Sequence, residues 1–456
     1  MTVIEYASPN TNKPLHLGHV RNICTGDALY RIYKAHGHKV IRANIVNDRG
    51  IHICKAMLAY ALHGSGKTPQ SEGRKPDHFV GDYYVKYSKN VANNPALAQE
   101  AQDLLNKWES GDEQTRALWK QIRQWCEEGF EQTYSDLEVG FERIDYESDI
   151  WKEGRDIVLS GLDKGVFVKN DTNAIVAPLS EHAKLPDKVL LRSDGTTLYM
   201  TQDLYLAISR HKELNFNECI YVVGSEQNLH FAQLFKILEL LGHTWAKNCH
   251  HYSYGMVYLP EGKMKSREGI VVDADDIILT MSDLAREEIA KRQTLQEQEL
   301  HDRAHAVGLA ALKFMMLKID AIKDLTFDPN ESISFEGDTG PYLQYTHARA
   351  ASILRKVEGH NTASFDSLDN VEKELTMQLS NFPSTSKDAY THRRPHIIAQ
   401  YLLALAQKFN EFYHANTVLK EADTNKKNNR IALVRMTKQT LANGLKLLGI
   451  RAIEEM

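Results

Sequence analysis

The stretch from Ser8 to Asn22, SPNTNKPLHLGHVRN, constrains the fold more than any other part of the chain, because it reads as a loop leaving a strand and entering a helix. Before it, Val3-Ile4-Glu5-Tyr6 is a short β-prone run. After it, apolar Val20, Ile23, Leu29, Ile32 and Tyr33 recur at helical spacing until a stop at Gly37. A helix entered this way offers unpaired N–H groups and a partial positive charge at its first turn. Within the loop stands His16-Leu17-Gly18-His19. Gly18 removes the side chain that would hold a nucleotide off the backbone, and the imidazoles can donate N–H to phosphate oxygens as charge builds there during phosphoryl or adenylyl transfer. Taken alone, four such residues could equally be a turn with two surface histidines. The strand before, the helix after, and Lys13-Pro14 within the loop favour a phosphate site, Pro14 stiffening the backbone and Lys13 adding a point charge.

The pattern repeats. Lys39 to Val46 is a second buried-strand run, followed by the turn Asn47-Asp48-Arg49-Gly50 and a helix from Ile51 to His63. Strand, helix, strand, helix implies a right-handed parallel crossover, with ligands at the carboxyl ends of the strands, where both loops fall. From Ser65 the chain turns polar and helical, and the span from about 65 to 187 reads as an insertion. Sheet-like sequence returns at Lys188 to Arg192. Cys219 to Val223 then feeds Gly224-Ser225-Glu226-Gln227-Asn228-Leu229-His230 and another helix, and a further strand leads into Lys263-Met264-Lys265-Ser266-Arg267, a basic loop. Beyond Ala274 nearly everything is helical. The expectation is an α/β Rossmann-type domain over 1–275, a helical connector over 276–334 and an all-α domain over 335–456.

A chain of 456 residues suits two or three domains. Net charge is −5, but residues 335–456 carry 16 Lys+Arg against 13 Asp+Glu and the remainder 39 against 47, so the acidic front suits a cationic small substrate and the basic tail a polyanion. No apolar run approaches a membrane span, and Met1-Thr2 leads straight into a strand without a signal peptide. Five scattered cysteines, Cys24, Cys54, Cys126, Cys219 and Cys249, fit reduced thiols, and a cytoplasmic monomer is expected. Cys249-His250-His251 has no second pair at ligand spacing, so no protein-held metal is expected.

Together these motifs resemble a class I aminoacyl-tRNA synthetase, with its HIGH-type loop at His16 to His19 and its KMSKS-type loop at Lys263 to Arg267. Within that class the chain resembles arginyl-tRNA synthetase. The resemblance is carried by Glu5-Tyr6-Ala7-Ser8-Pro9-Asn10, Asn47-Asp48-Arg49-Gly50, Tyr199-Met200-Thr201-Gln202-Asp203 and Phe335 to Tyr345 (FEGDTGPYLQY). Leu405 to Tyr413 (LAQKFNEFY) and Leu441 to Ile450 (LANGLKLLGI) look like the family's helical anticodon-binding domain of the DALR type. Two departures stand out. The family normally carries a tRNA-elbow domain ahead of the first strand, and the chain is read as the core without it. Ser266 also occupies the position of the second KMSKS lysine; the family often lacks it, and Lys13 is thought to supply its charge, with Arg267 a further contributor.

The resemblance implies ATP with Mg2+, L-arginine and arginine tRNA as substrates. His16 and His19 would stabilise the α-phosphate region, and Lys13, Lys263, Lys265 and Arg267 would hold the departing pyrophosphate. Gly18, Met264 and Ser266 would complete the ATP site. A guanidinium needs planar acceptors, which carboxylates supply bidentately. Tyr199 and Asp203 are four apart and share a face at a helix start or turn. By resemblance Glu147 is a second acidic wall, Glu5 lies near the pocket, and Asn10 and Gln227 fix the α-amino and α-carboxylate groups. Arg349, Lys356, Lys426, Lys427 and Arg430 are candidates for tRNA phosphates. A tRNA-binding paralogue without charging activity is an alternative that intact His16 to His19, Tyr199 and Asp203 argue against. A cysteine-specific enzyme of the class would need soft metal ligands that the cysteine pattern does not offer.

Overall fold

The computed structural model describes residues 1–260, 272–358 and 362–456, so the KMSKS-type residues Lys263, Met264, Lys265, Ser266 and Arg267 lie outside the described residues. In chain order the first elements are β1 (Thr2–Glu5), α1 (Leu17–Ala35), β2 (Val40–Val46), α2 (Ile51–His63), α3 (Pro76–Asn93), α4 (Ala96–Ser110) and α5 (Glu113–Asp136). There follow β3 (Arg143–Tyr146), α6 (Glu147–Ile150), α7 (Gly154–Asp163), β4 (Val168–Lys169), β5 (Ile175–Ala177), α8 (Leu179–His182), β6 (Lys188–Leu191), α9 (Tyr199–Leu214), β7 (Glu218–Gly224), α10 (Asn228–Leu240) and β8 (Cys249–Tyr254). The remainder comprises β9 (Val257–Tyr258), α11 (Ala274–Ala290), α12 (Glu297–Leu317), β10 (Leu325–Thr326), α13 (Pro329–Ser332), α14 (Gly340–Leu354), α15 (Asn370–Ser380), α16 (Phe382–His392), α17 (Pro395–Ala415) and α18 (Thr424–Leu447). Two compact units emerge. The first holds residues 1–22, 39–254 and 272–274; the second holds 23–38, 255–260 and the described residues from 275 onward.

The first unit is built on a five-stranded sheet in the order β3-β2-β1-β7-β8, every neighbouring pair parallel. β1 is central, and all four of its residues, including the polar Thr2 and Glu5, are buried. That is why its sequence reads as an apolar run rather than an alternation: a parallel strand covered on both faces keeps few positions for water, and each Val or Ile so buried contributes roughly 1.5–3 kcal/mol. The chain passes from β1 to β2 on one side, while β7 pairs on the other, so strand order reverses at β1. The crevice at the carboxyl ends of β1 and β7 is where a ligand is expected in such a sheet. Gly50, with φ 111°, closes the turn after β2 in a conformation a side chain would strain.

The inserted segment begins as expected from its polar helical sequence. Between β2 and β3 run α3, α4 and α5, and the aromatic side chains of Tyr60, Phe79, Tyr83 and Trp125 meet edge to face, with ring centroids 5.1–6.0 Å apart. Two details differ from the sequence reading. β3 falls inside the span assigned to the insertion yet pairs with β2 from Ala43↔Arg143 to Val46↔Tyr146, as an edge strand whose sequence, RIDY, is too short and polar to announce itself. Lys188 to Leu191 joins a separate antiparallel sheet, β4-β5-β6, rather than the main one.

The second unit is helical. α12 is buried from Val307 to Leu317 and packs with α14, which also meets α18; α17 lies against α15, α16 and α18. Helix starts are chemically marked. Asp423 accepts the Asn425 and Lys426 N–H groups at the start of α18, Asp369 and Glu372 form a reciprocal capping box on α15, and Thr339 caps α14. Among the described residues no helix is long and apolar enough to cross a membrane.

Candidate active site

β1 delivers the chain into the His16–His19 loop through a backbone that L-residues seldom adopt, with Ala7 at φ 75° and Ser8 at φ 49°. Three asparagines hold it there. The Ala7 N–H donates to Asn22 Oδ1 (2.6 Å), the Ser8 N–H donates to Asn44 Oδ1 (3.0 Å), and Asn47 Nδ2 donates to the Ser8 carbonyl (3.1 Å). Asn22 also donates to the Val222 carbonyl of β7 (2.7 Å) and the Tyr254 hydroxyl (3.0 Å), so the loop is fixed to both neighbours of β1. From the far side, Leu17 N–H donates to the Val272 carbonyl (3.1 Å) and Ala274 N–H to the Leu15 carbonyl (2.9 Å).

Within this frame the histidines are oriented by backbone. His16 Nδ1 accepts the Gly18 N–H (3.1 Å), His19 Nδ1 accepts the His16 N–H (3.1 Å), and the ring centroids stand 3.9 Å apart. A ring whose Nδ1 accepts a hydrogen bond carries its proton on Nε2, so each imidazole has an Nε2–H donor. Burial is the main reason they stay neutral: it brings His16 down to about 4, helped by Lys13, and His19 well below its usual value, helped by His16 and Lys13. A Cβ on Gly18 would lie 3.0 Å from Cε1 and Nδ1 of His16, so any side chain there would displace the ring. Burial also lowers the Lys13 pKa, with Asp273 opposing it. Lys13, Pro14, His16, Arg74, His78 and Asp273 line a cavity of about 120 Å³.

A second cluster is acidic. Tyr199 and Asp203 sit one turn apart on α9; Tyr199 is exposed, and Asp203 Oδ2 is 2.6 Å from His230 Nε2 on α10. Glu147 opens α6 at the end of β3 and is buried. Burial raises its pKa to about 7, Arg49 opposing and Asp48 and Asp203 adding to the rise. Burial and Glu147 likewise raise the Tyr199 phenol. Glu5, buried at the end of β1, accepts at Oε2 from Nη1 of Arg210 of α9, whose Nε donates to Asp145 Oδ2 (2.8 Å). Burial raises the Glu5 pKa against the pull of Arg210. Asp48 accepts from Ser148 N–H (2.8 Å), Ser148 Oγ (2.7 Å) and Arg123 Nη1 (3.2 Å), tying the Asn47–Gly50 turn to α6 and α5. Asn10 is exposed and bridges to Asn47, and Gln227 is exposed in the 3-10 turn that follows β7.

Comparison with known proteins identifies the family. Residues 1–329 match the family described as tRNA synthetases class I (R), catalytic domain, and residues 343–456 the DALR anticodon binding domain. The arginine–tRNA ligases of Phocaeicola vulgatus and Bacteroides thetaiotaomicron are 44% and 45% identical, covering 100% of this chain and 81% of their own length. The chain belongs to the arginyl-tRNA synthetases. Thermus thermophilus arginyl-tRNA synthetase superposes with a TM-score of 0.90 at 28% identity, over 100% of this chain and 82% of that one. A Plasmodium falciparum structure at 20% identity shares the fold, with a TM-score of 0.81.

For this synthetase, the described residues bring Lys13, His16, Gly18 and His19 together as one cluster, and Glu5, Glu147, Tyr199 and Asp203 as another. Sequence reasoning missed Arg210, Asp145, Arg49 and His230. Arg49 and His230 stand in two loops already singled out, Asn47–Gly50 and Gly224–His230, but nothing local shows which partner any of the four meets. In the second unit, Arg349 donates to Asn410 Oδ1 (2.7 Å) and the Tyr345 hydroxyl (3.1 Å), and lies over the rings of Tyr345 (4.7 Å) and Tyr413 (5.2 Å). With Lys356, His414 and Lys420 it lines a cavity of about 400 Å³. Lys426 is exposed in the first turn of α18, and Lys427 is half-buried. Arg430 is a correction. It is buried, and Glu372 (2.7 Å), Glu421 (2.5 Å) and the Thr417 carbonyl (2.9 Å) accept from its Nε and Nη1, so it ties α15 to α18 rather than standing open to a phosphate. All five cysteines are free and buried, and burial pushes Cys24, Cys54 and Cys219 up to about 12.

Proposed function

We propose that the chain performs its family's reaction, joining L-arginine to the 3′ end of arginine tRNA at the expense of MgATP, with the two clusters dividing the work. The amino acid's carboxylate attacks the α-phosphorus and pyrophosphate leaves, a step that needs alignment and charge stabilisation but no protein nucleophile. His16 and His19 give Nε2–H donors to the α-phosphate, and Gly18 leaves room for the nucleotide. Lys13, with Lys263, Met264, Lys265, Ser266 and Arg267 of the KMSKS-type loop, steadies the nucleotide and its leaving pyrophosphate. An amine and two neutral imidazoles make no oxygen cage, so Mg2+ belongs to the substrate, held through phosphate oxygens. Glu147, Tyr199 and Asp203 read the guanidinium, with Glu5 near the pocket, while Asn10 and Gln227 take the α-amino and α-carboxylate groups.

Activation is assigned to 1–275, with its insertion over 65–187 and the connector 276–334. Transfer-RNA binding falls to 335–456, where Arg349, Lys356, Lys426 and Lys427 face phosphates or stacked bases. The chain acts as a monomer in the cytoplasm, where its thiols stay reduced.

The observation that carries this reading is the acidic cluster itself. Glu147 at the start of α6, with Tyr199 and Asp203 one turn apart at the start of α9, gathers two carboxyl groups and a phenol near a sheet whose central loop presents neutral N–H donors. Calorimetric titration with L-arginine, L-lysine and L-citrulline tests it. Arginine should bind, with the other two at least about tenfold weaker, because lysine lacks the fork and citrulline the charge. Equal binding of lysine and arginine would refute the guanidinium pocket.

A further inference from the structure

The Asn47–Gly50 turn places a guanidinium of the protein's own beside the acidic cluster. Arg49 Nη2 is bonded to Glu109 of α4, and its Cζ lies 4.1 Å from the Trp151 ring centroid and 5.9 Å from that of Trp108. The two indoles are themselves in contact, with centroids 5.8 Å apart. Stacking plus an ion pair on the far side leaves this side chain little freedom to swing. Yet its near nitrogen, Nη1, stops 3.9 Å from Glu147 Oε1, beyond a hydrogen bond, and the buried Nε has no hydrogen-bond partner among the described residues. Arg49 therefore lends its charge to Glu147 without using up the lone pairs that an incoming guanidinium needs.

We propose that Arg49 is a positioning residue of the amino acid pocket, a cation locked by Glu109, Trp108 and Trp151 at a distance that favours the carboxylate form of Glu147 without itself taking up its oxygens. The proposal rests on Glu147 being a wall of the arginine pocket. Its electrostatic setting supports it. The other groups around Glu147 are Asp48 from the same turn, itself paired with Arg123 of α5, and Asp203, Tyr199 and the hydrogen-bonding Gln202 of α9. Both carboxylates in that set favour a protonated Glu147, and Arg49 is the cation that opposes them. An arginine substrate must find Glu147 ionised, so a pocket without Arg49 would have to expel a proton each time it fills.

The experiment is calorimetric binding of L-arginine to the full chain from pH 6 to pH 9, in buffers of differing ionisation enthalpy so that released protons are counted. Arg49→Met, the neutral polar Arg49→Gln, Glu147→Gln and the double substitution with Arg49→Met are compared. Removing Arg49's charge should weaken arginine by about fivefold at pH 7, an effect that vanishes by about pH 9, and should increase proton release, as expected for a carboxyl shifted up by roughly one unit. In the Glu147→Gln background, Arg49→Met should change arginine affinity by less than about twofold. MgATP affinity should hold throughout. A loss of equal size at pH 7 and pH 9, or the same loss with Glu147 already replaced, would overturn the proposal and leave Arg49 a packing residue. Arg49→Gln carries the same test should Arg49→Met fail to fold. Failure of the arginine pocket reading is separately visible, as equal lysine and arginine binding by the unaltered chain.

Discussion

At the phosphate end of the sheet, the two imidazoles that would meet an anion are neutral before it arrives. His16 and His19 are neutral, locked by backbone N–H groups on Nδ1, and burial lowers Lys13. At the acidic end, Asp203 is one-third exposed and bonded to His230, whereas buried Glu147 is pushed up to about 7. Both ends thus hold buried groups back from full charge, but by different means. Fixed N–H dipoles need no change of protonation to stabilise a developing oxyanion. A carboxyl poised near neutrality must lose its proton to pair with a cation. The phosphate end should therefore be insensitive to pH where the acidic end is not.

The largest expected effect breaks the comparison at the phosphate end. Replacing either His16 or His19 with Ala should lower kcat by about 100-fold, the scale for losing one preorganised donor, with MgATP affinity nearly unchanged. Because burial brings His16 down to about 4 and holds His19 well below the ordinary histidine value, these rings should put no step into the kcat profile between about pH 6 and 8. A step near the ordinary histidine value that disappears in His16→Ala would show a solvated, protonating ring instead. Next in size is Asp203→Asn. An isosteric amide keeps the shape and loses the charge, so arginine binding should weaken by about 2 kcal/mol, roughly 30-fold, measured by calorimetry. Loss of MgATP binding to the same extent would mean that the acidic and phosphate ends are not separable.

The contrast also explains what could be read from the sequence. The loop from Ser8 to Asn22 and the strands beside it were legible because glycine, proline and parallel-strand burial leave local marks, whereas Tyr199 and Asp203 were singled out by the family resemblance, and their spacing of four added only that a helix start or turn would put them on one face. β3 was not, since RIDY carries too few apolar residues to outweigh the polar helices around it. Arg430 was misjudged for a related reason. Within Lys426-Lys427-Asn428-Asn429-Arg430 nothing local distinguishes a cation aimed at water from one aimed at Glu372 and Glu421, which are 58 and 9 residues away. The partners of Glu5 and Glu147 were hidden in the same way, because Arg210 and Arg49 meet them only through tertiary folding.

The smallest expected effect sharpens the comparison, and its sign can be worked out in advance. Glu147 is raised from 4.5 to about 7 in the folded chain. Between those values the folded state holds a proton that the unfolded state has released, so this group's contribution to stability falls as pH rises from about 4.5 and levels off above about 7. Bound arginine reverses the balance, since a guanidinium favours the carboxylate. Arginine affinity should then rise by about tenfold from pH 6 to pH 8 and be flat above, with the increase in melting temperature on adding arginine growing over the same interval. Nucleotide affinity should show no matching trend from the histidines. In Glu147→Gln the arginine profile should be weak and level. A tenfold rise surviving that substitution would overturn the assignment of the titrating group to Glu147.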